Sequence, residues 1–461
     1  MLMITLSREG LANSLPEADT LNLCVRQFEN TLPCLHRLNR YYEGRHDILS
    51  RTRLSGLPNN CVTHAFPRYI AQVSASYLLG EPARVEGPEP QTQALRELML
   101  HAATDAIDVE LALHQAVFGR AVSLCYEDAS LRPHVCALDP RSAFVVYDDT
   151  VAQDPLFGVY VSGAGQDRQL LVYTKSQAAR FSAQGRLLEV KPHPFRALPM
   201  TEYLNGTDAH GDFEDVLALI DAYDLLQADR LNDRQQFSDA LLVLTGVMGI
   251  GAGEGDNPLE RLRQEKTLAL PDEHARAEWL VKTPMEKDID ILREALSQDI
   301  HKFSLTPDFT DERFAGNASG VAIQYKLFNF DNRVKLKERW FITGLRERAR
   351  AFCGWLDTRR HLHLDADELA FRLTRRLPVN EPERAQTISA LKDILPYSTL
   401  LFNSPLTEDP QRRREGSDAW LVNTFSDSLL SRDFEGRIVV TVEPFNWREI
   451  IKVLLDAGGI V

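Results

Sequence analysis

Four residues near the C-terminal third of the chain have the types and spacing of metal ligands. His361 and His363 are two positions apart, and Asp365 and Asp367 continue the same spacing. On an extended strand such side chains lie on one face, where imidazole and carboxylate groups can bind a metal ion. A metal-dependent nuclease is therefore one hypothesis. The spacing alone favours the other interpretation, two solvated histidines at the edge of a strand.

Two glycine-rich segments approach the patterns of catalytic loops without matching them. Residues 249–255 lack both the lysine of a phosphate-binding loop and the glycine spacing of a dinucleotide-binding turn. Their glycine-rich composition is typical of a flexible surface loop. Residues 316–320 read Gly-Asn-Ala-Ser-Gly, one register away from the Gly-x-Ser-x-Gly of a nucleophile elbow. Ser319 is better placed to cap the N-terminus of a helix.

Two pairs of carboxylates complete the candidates for acid–base chemistry. Asp148 and Asp149 fall in a predicted turn and are most simply turn formers. Asp221 and Asp224 share a helix face, but the sequence identifies no acid–base partner, so a solvated face is expected. No catalytic set emerges. The sequence predicts no enzyme, no cofactor and no metal site.

Composition excludes some classes of function. The 461-residue chain has a formal net charge of -14, with 44% hydrophobic and 26% charged residues. These values suit two or three domains or one large, elongated architecture. The acidic balance argues against sequence-specific nucleic-acid binding, which usually needs a dominant basic face. A conduit for DNA remains compatible with it, because adhesion to phosphate would hinder movement.

The sequence contains no feature that directs it into or across a membrane. Residues 1–6 lack the cationic stretch and apolar core of a secretion signal. The longest apolar stretch, residues 240–253, is interrupted by glycine and is shorter than the ~20 residues of a membrane span. The six cysteines are scattered without a Cys-x-x-Cys pair. A cytoplasmic protein with reduced thiols is expected.

Hydrophobic periodicity predicts an α+β fold. Helical patterns cover residues 17–50 and 61–80, and later residues 212–240, 286–305 and 321–356. Between residues 117 and 200, short β-rich runs separated by turn residues predict an antiparallel meander, with runs at 121–126, 143–148, 157–161 and 170–174. One more strand is predicted near residues 364–373.

The longest predicted helix, residues 321–356, combines an apolar stripe with a local net charge of +5. The late part of the stripe consists of Phe341, Leu345, Ala349, Phe352 and Leu356. The cations are Lys326, Arg333, Lys335, Lys337, Arg339, Arg346, Arg348 and Arg350. Two interpretations stay open: an exposed face balanced by acidic neighbours, or a face directed at DNA or an acidic partner.

Several segments occur in the order found in one family. They are residues 41–49 (Tyr-Tyr-Glu-Gly-Arg-His-Asp-Ile-Leu), 58–60 (Pro-Asn-Asn), 66–70 (Phe-Pro-Arg-Tyr-Ile), 76–82 (Ser-Tyr-Leu-Leu-Gly-Glu-Pro) and 233–240 (Asp-Arg-Gln-Gln-Phe-Ser-Asp-Ala). The most specific block holds Ser-Leu-Thr-Pro at 304–307, Phe314, Ser-Gly-Val-Ala at 319–322 and Tyr-Lys-Leu at 325–327. Over residues 40–410 the chain resembles the portal proteins of tailed double-stranded-DNA bacteriophages with long, flexible tails.

The resemblance implies an elongated subunit with long stem and spine helices, a β-rich wing, a small clip insert and a helical crown. The implied parts are the wing at 1–211, a first stem helix at 212–240, the clip at 241–285, a second stem helix at 286–306, a tunnel loop at 307–320, a long kinked helix at 321–356, a wing strand at 357–379 and the crown or C-terminal region at 380–461. The segment after Arg414 matches no pattern of the family.

The resemblance also implies which residues meet DNA. The DNA-facing tunnel loop would present Asp308, Phe309, Asp311, Glu312, Arg313, Phe314 and Asn317. The stem would line the channel with Asp288, Glu294, Asp299 and Lys302. Both sets are rich in carboxylates, so sliding of the duplex is expected rather than capture of its phosphates.

The expected function is that of a portal, located at one vertex of the virion capsid and assembled in the host cytoplasm. The expected partners are further copies of the chain in a homo-oligomeric ring (a dodecamer in the virion), non-specifically bound double-stranded DNA, the terminase large subunit, a head-completion or adaptor protein, and the major capsid and scaffolding proteins. Terminase would supply the energy of ATP hydrolysis. A head–tail adaptor ring is the alternative structural hypothesis, although adaptors are usually much shorter chains.

Overall fold

The computed structural model describes residues 3–7, 11–12, 15–54, 57–163, 165–237, 241–245, 276–280, 286–310, 320–375, 430–432 and 438–440. The chain divides into two units. The first comprises residues 1–315 and 325–376, and the second comprises residues 316–324 and 377–461. In the second unit the described residues are 320–324, at the start of a helix, and two short paired strands.

Eight α-helices occur within the described part of the chain. They are α1 (Ala18–Glu29), α2 (Leu32–Tyr42), α3 (Phe66–Leu78), α4 (Gln91–His101), α5 (Thr104–Phe118), α6 (Leu217–Phe237), α7 (Glu286–Phe303) and α8 (Gly320–Arg360). Short 3₁₀ turns lie at Asp47–Ser50, Gly165–Asp167, Glu214–Val216 and Ala366–Glu368. None of the described helices is long and apolar enough to cross a membrane.

The described strands are mostly short and antiparallel. They are β1 (Ile4–Leu6), β2 (Leu11–Ala12), β3 (Leu15–Pro16), β4 (Arg84–Glu86), β5 (Arg120–Glu127), β6 (Pro133–Leu138), β7 (Ala143–Asp148), β8 (Pro155–Ser162), β9 (Gln169–Tyr173), β10 (Gln177–Ser182), β11 (Leu187–Pro192), β12 (Met200–Leu204), β13 (Leu241–Thr245), β14 (Arg276–Leu280), β15 (Ala370–Arg372), β16 (Leu430–Arg432) and β17 (Ile438–Val440).

The strands form one large sheet and several small ones. The six-stranded sheet has the order β1-β7-β8-β9-β10-β11, and the three-stranded sheet has the order β12-β5-β6. The pairs are β13-β14, β15-β4, β16-β17 and β2-β3. The β1–β7 pairing is parallel, whereas the other described pairings are antiparallel. The predicted α+β class and the predicted meander are confirmed.

Alternation along the strands explains the first core. Leu170 and Val172 on β9, and Ala179 and Phe181 on β10, are buried because residues two apart face the same side of the sheet. They pack with helices α1, α2 and α3 and with the start of α6. The stacked rings of Phe28 and Phe144, 4.5 Å between centroids, join α1 to β7 in this core.

The second core follows α8. The predicted stripe Phe341, Leu345, Ala349, Phe352 and Leu356 is buried along its whole length, which confirms the period-3.6 interpretation. The stripe packs against α4, α5 and the three-stranded sheet. A Cβ at residue 344 would come within 2.3 Å of the Tyr203 ring, so a glycine is required where β12 meets α8. Bending of α8, predicted as a kink, stays a prediction.

Two local predictions differ from the structure, and two helices were not predicted. The helix expected over residues 17–50 is divided into α1, α2 and a 3₁₀ turn, because Pro33 starts a new helix at its first turn. Of the strand expected near residues 364–373, β15 is the part that forms. Residues 361–365 are not in a strand and pair with none of the described strands. Helices α4 and α5 were not predicted from the sequence.

Candidate functional site

Helix α7 carries the four residues predicted to line a channel. Asp288, Glu294 and Lys302 are exposed, and Asp299 is half-buried. With 3.6 residues per turn, Asp288 and Asp299 lie about three turns apart on nearly the same face, and Lys302 lies within about 60° of both. Glu294 lies about 120° away from Asp288. A single straight helix therefore presents three of the four residues in one direction.

The apolar side chains of α7 are only partly covered. Ile300 is fully buried in the first core. Leu292 and Phe303 are 49% and 57% exposed, and Ile291 is 67% exposed. Exposed apolar side chains are common singly, but a cluster on one helix marks a contact surface. These side chains of α7 are available for a contact with another molecule.

Helix α6 packs alongside α7 and is fastened to the segment between α2 and α3. Tyr41 donates its hydroxyl proton to Asp221 at 2.6 Å. The backbone N–H of Asn60 donates to the side-chain oxygen of the fully buried Asn232 at 2.6 Å. Two of the segments that resemble the portal family therefore lie directly against the predicted first stem helix.

The centre of this contact is the buried carboxylate of Asp224. One oxygen lies 2.5 Å from Nδ1 of His46, and both side chains are fully buried. The other oxygen accepts from the ring Nδ1 of His64 at 2.7 Å and from its backbone N–H at 3.0 Å. The sequence predicts that Asp221 and Asp224 lie on a solvated face with no partner. That expectation is wrong, because the loop after α2 folds back over α6.

The other ring nitrogen of His46 connects the same contact to α2. Its Nε2 lies 3.1 Å from the backbone carbonyl of Tyr41, which can only accept, so Nε2 is the donor of that hydrogen bond. Burial alone would raise the pKa of Asp224, but hydrogen bonds from His46 and His64 outweigh burial and hold that pKa below its ordinary value. Two histidines from the segment between α2 and α3 therefore hold the Asp224 carboxylate.

The base of the predicted tunnel loop is attached to α3. The hydroxyl of Tyr69 donates to the backbone carbonyl of Pro307 at 2.8 Å and accepts from the backbone N–H of Phe309 at 3.1 Å. Asp308 caps the following turn by accepting from the N–H of Thr310 at 2.9 Å. The Phe309 side chain is 45% exposed. One side chain of the first unit thus fixes where the loop begins.

The remaining predicted loop residues, Asp311, Glu312, Arg313, Phe314 and Asn317, lie outside the described residues, as do the glycine-rich segment 249–255 and Ser319. In the predicted clip, residues 241–285, the described parts are β13 and β14, which pair antiparallel from Leu241 opposite Leu280 to Thr245 opposite Arg276. In the predicted crown, the described parts are β16 and β17, whereas the helices expected there fall on residues that are not described.

The cationic helix does not form one exposed face. Lys337 is buried and its ammonium lies 2.8 Å from the carboxylate of Asp212, which Arg333 also contacts at 3.2 Å. Arg333 additionally donates to the backbone carbonyl of Ser304. Burial alone would raise the pKa of Asp212, but the two cations outweigh it and hold the pKa below its ordinary value. This cluster joins α8 to the residues just after α7 and just before α6.

A second cation of α8 is buried further along the helix. Both guanidinium arms of Arg348 contact the carboxylate of Asp108 on α5, one of them at 3.0 Å. Both side chains are nearly inaccessible to solvent. Burial opposes the charge on Arg348, but the Asp108 carboxylate raises its pKa. The expectation of an exposed cationic face is thus wrong for Lys337 and Arg348. It holds for Lys326, Lys335, Arg339, Arg346 and Arg350, which are exposed.

The four candidate metal ligands are not brought together. His361 and His363 are exposed on the segment that follows α8, and Asp367 is paired with Arg350 at 2.8 Å. The Asp365 side chain accepts the backbone N–H of Asp367 at 2.9 Å. Across the described ranges, no group of three or more potential metal ligands occurs.

Solved structures similar to this chain come from gene transfer agent particles. A chain from the neck of the empty particle is 13% identical with a TM-score of 0.44, covering 77% of this chain and 90% of that one. A chain from the neck of the native particle is 14% identical with a TM-score of 0.43, covering 73% and 88%. A chain from the native virion is 13% identical with a TM-score of 0.45, covering 81% and 94%.

Sequence comparisons identify the family. The portal protein of Bacillus phage SPP1 is 21% identical over 442 residues, covering 87% of this chain and 86% of that protein. The family model described as phage portal protein, SPP1 Gp6-like, matches residues 21–422, which is most of the chain. The match replaces the hypothesis of a head–tail adaptor. The chain belongs to the phage portal protein family of the SPP1 Gp6-like type.

Proposed function

We propose that this portal protein assembles into a homo-oligomeric ring, a dodecamer in the virion, at one vertex of the capsid. Double-stranded DNA passes through its central channel during packaging and ejection. The observation that carries the proposal is the family match over residues 21–422. The protein is a structural component of the virion and hydrolyses no ATP itself.

The uncovered apolar surface of α6 and α7 supports self-association. Leu225 and Leu231 on α6 are 44% and 46% exposed, and Leu292 and Phe303 on α7 are exposed to a similar extent. We propose that a neighbouring copy covers these side chains, because a head-to-tail contact repeated around an axis closes a ring. On α7, Leu292 and Phe303 lie about 40° to 60° from Asp288, so the neighbour would contact them at the flank of the channel-facing side. Apolar area removed from water contributes about 25 cal/mol per Å². In a closed ring each copy makes this contact with both of its neighbours, so removal of one copy breaks two contacts.

The charged face of α7 supports a channel through which DNA slides. Asp288 and Asp299 share that face with Lys302, so the face is mildly acidic. Carboxylates repel phosphate, whereas a basic face would displace counterions and hold the duplex. We expect binding of a duplex to the isolated ring to be on the order of non-specific affinity or weaker, about 10⁻⁴ M or above at physiological salt.

The remaining partners are assigned by position in the chain. The clip, residues 241–285 with the β13–β14 pair, docks the terminase large subunit and later the head-completion or adaptor protein. The wing, residues 1–211, meets the major capsid and scaffolding proteins. The tunnel loop, starting at Asp308 and Phe309, contacts DNA by shape because its charged residues are mainly acidic.

The channel assignment is tested with two matched substitutions on one helix. Asp288→Lys and Glu294→Lys make the same change of charge at exposed positions about 120° apart. In a reconstituted packaging system, Asp288→Lys should slow packaging at low salt and recover as salt rises, because the added cations attract phosphate. Glu294→Lys should have the smaller effect.

Electron microscopy of the purified parent protein should show rings with a channel wide enough for a B-form duplex. Monomers or compact dimers at every concentration and salt, with no rings in virions, would contradict the ring. Equal packaging by the parent and Asp288→Lys at low salt would contradict the assignment of this face of α7 to the channel.

A further inference from the structure

Helix α7 ends in a turn that its sequence disfavours. Leu305, two residues beyond the end of α7, has a φ of 53°, in the left-handed region. The N–H of Leu305 donates to the carbonyl of Lys302 at 3.3 Å, and the N–H of Thr306 donates to the carbonyl of His301 at 3.1 Å. These are the hydrogen bonds of a Schellman motif, in which glycine usually takes the left-handed position. A leucine there crowds the following carbonyl oxygen, so surrounding contacts must hold the turn.

Side chains supply the first of these contacts. Nδ1 of His301 lies 3.0 Å from the backbone carbonyl of Thr306, which can only accept, so Nδ1 is the donor. Arg333 on α8 donates to the backbone carbonyl of Ser304. Two carbonyl groups beyond the end of α7 are therefore paired with side chains, one from α7 itself and one from α8.

Tyr69 on α3 continues this series into the predicted tunnel loop. Its single hydroxyl donates to the carbonyl of Pro307 at 2.8 Å and accepts from the N–H of Phe309 at 3.1 Å. The Tyr69 ring packs edge-on against the His301 ring, with 5.8 Å between centroids. The carbonyl groups at residues 304, 306 and 307 are thus held by side chains from α8, α7 and α3.

Close packing is incomplete around the same segment. A cavity of about 370 Å³ lies beside it, and its walls include Phe66, Ser297, Asp308 and Thr310. Atoms that line a cavity lack part of their van der Waals contacts. The hydrogen bonds of Tyr69, rather than tight packing, therefore determine where residues 307–309 lie.

We propose that Tyr69 is a positioning residue for the passage of DNA. Its hydroxyl fixes residues 307–309, and with them the place at which each copy of the ring presents the exposed Phe309 ring. The inference rests on the proposed contact of the tunnel loop with DNA. Contact by shape requires the same geometry in every copy, because a displacement repeated around the ring changes the width of the channel. Tyr69 acts through the backbone of Pro307 and Phe309 and does not itself contact DNA.

Hydrogen–deuterium exchange of the purified full-length protein tests whether Tyr69 holds the segment. Tyr69→Phe keeps the ring but removes the hydroxyl, so the Phe309 amide should exchange about tenfold faster. Exchange along α3 should stay as in the parent, which separates this effect from general unfolding. Tyr126→Phe is the matched control, because the Tyr126 side chain is 43% exposed and its hydroxyl makes no hydrogen bond with the described residues.

A reconstituted packaging system tests the consequence for DNA. Rings of Tyr69→Phe should form as in the parent, but their packaging rate should fall by a factor of about three or more, because a contact by shape tolerates little displacement. The loss should persist across a salt series, since no charge changes. Tyr126→Phe should package as the parent does.

The two measurements separate the ways in which the inference can fail. Unchanged exchange at the Phe309 amide in Tyr69→Phe would show that the hydroxyl does not hold the segment. Faster exchange with undiminished packaging would overturn the positioning role. Absence of rings in the parent would instead contradict the proposed function, and exchange measured on the subunits would still decide whether Tyr69 fixes residues 307–309.

Discussion

Helices α7 and α8 are both rich in charged side chains, but these side chains differ in how deeply they are buried. On α8, Lys337 and Arg348 are buried against carboxylates from other elements. On α7, the charged side chains described are exposed or half-buried, and large apolar side chains such as Phe303 also face solvent. Buried ion pairs thus hold the middle of α8 within its own subunit, although Phe328 and Leu336 show that α8 also carries exposed apolar side chains. For α7, we propose a contact with a neighbouring copy.

The physical basis of the contrast is desolvation. A buried ion pair is costly to form, but removal of one partner leaves an uncompensated charge and costs about 3–5 kcal/mol. A pair on the surface is worth about 0–1 kcal/mol because water screens both charges. The buried pairs of α8 therefore fix its position, whereas the surface pairs of α7 contribute little to fixing that helix.

The largest effect is expected at Arg348. Arg348→Met should destabilise the subunit by about 3–5 kcal/mol, because Asp108 would remain buried without its cation. Arg346→Met, two residues away at an exposed position, should change stability by less than about 0.5 kcal/mol. Denaturant unfolding of both variants measures the difference. Equal stability of the two would show that the Asp108–Arg348 pair does not anchor α8.

The next effect is expected at the joint between α6 and the loop after α2. Asp224→Asn should cost about 1.5–3 kcal/mol, because the buried carboxylate that accepts hydrogen bonds from both His46 and His64 would be lost. Asp215→Asn provides the control, since that side chain is 73% exposed. Thermal unfolding of both variants at neutral pH is the measurement. A loss no greater than that of the control would contradict a stabilising role of the buried Asp224 carboxylate.

The contact of Asp224 with the loop after α2 should also make the stability of the protein depend on pH in the acidic range. The pKa of Asp224 is lowered from 3.8 in the folded protein, so its contribution to stability is complete above that value and is lost as the pH falls through the folded pKa. The parent should therefore lose stability more steeply than Asp224→Asn below about pH 4. Unfolding midpoints measured from pH 6 to pH 2 test this. Parallel curves for the two proteins would contradict it.

Phe303→Asp should weaken assembly more than it weakens the subunit. The side chain is largely exposed, so subunit stability should change by about 0.5 kcal/mol or less. Each contact between copies should weaken at least tenfold, which corresponds to about 1.4 kcal/mol. Native mass spectrometry across a concentration series measures assembly, with Gln298→Asp at an exposed position of the same helix as a control for the added negative charge. Undiminished rings would place the subunit contact elsewhere.

The smallest effect is expected for the surface pair that links α6 and α7. Arg230 lies 3.0 Å from Asp290, and both are partly exposed. A double-mutant cycle with Arg230→Ala and Asp290→Ala should give a coupling of about 0.2–1 kcal/mol that declines with salt. A coupling as large as the effect of Arg348→Met would remove the distinction between α7 and α8.

Much of the fold could be predicted from the sequence because the relevant patterns are local. The run 143–148 coincides with β7, and the stripe from Phe341 to Leu356 is buried as expected. In each case neighbouring residues repeat the period of one element, so no distant part of the chain is needed to recognise it. The ordered segments that resemble portal proteins likewise led to the family that the comparisons identify.

Tertiary structure alone decided which polar residues are buried and what they contact. Asp224 appeared solvated in the sequence because its partner His46 lies 178 positions away. Arg348 appeared exposed because Asp108 lies 240 positions away. Periodicity shows which face of a helix is apolar, but a buried charge is stable only where folding supplies its counter-charge. That supply depends on contacts between distant segments, which no local pattern records.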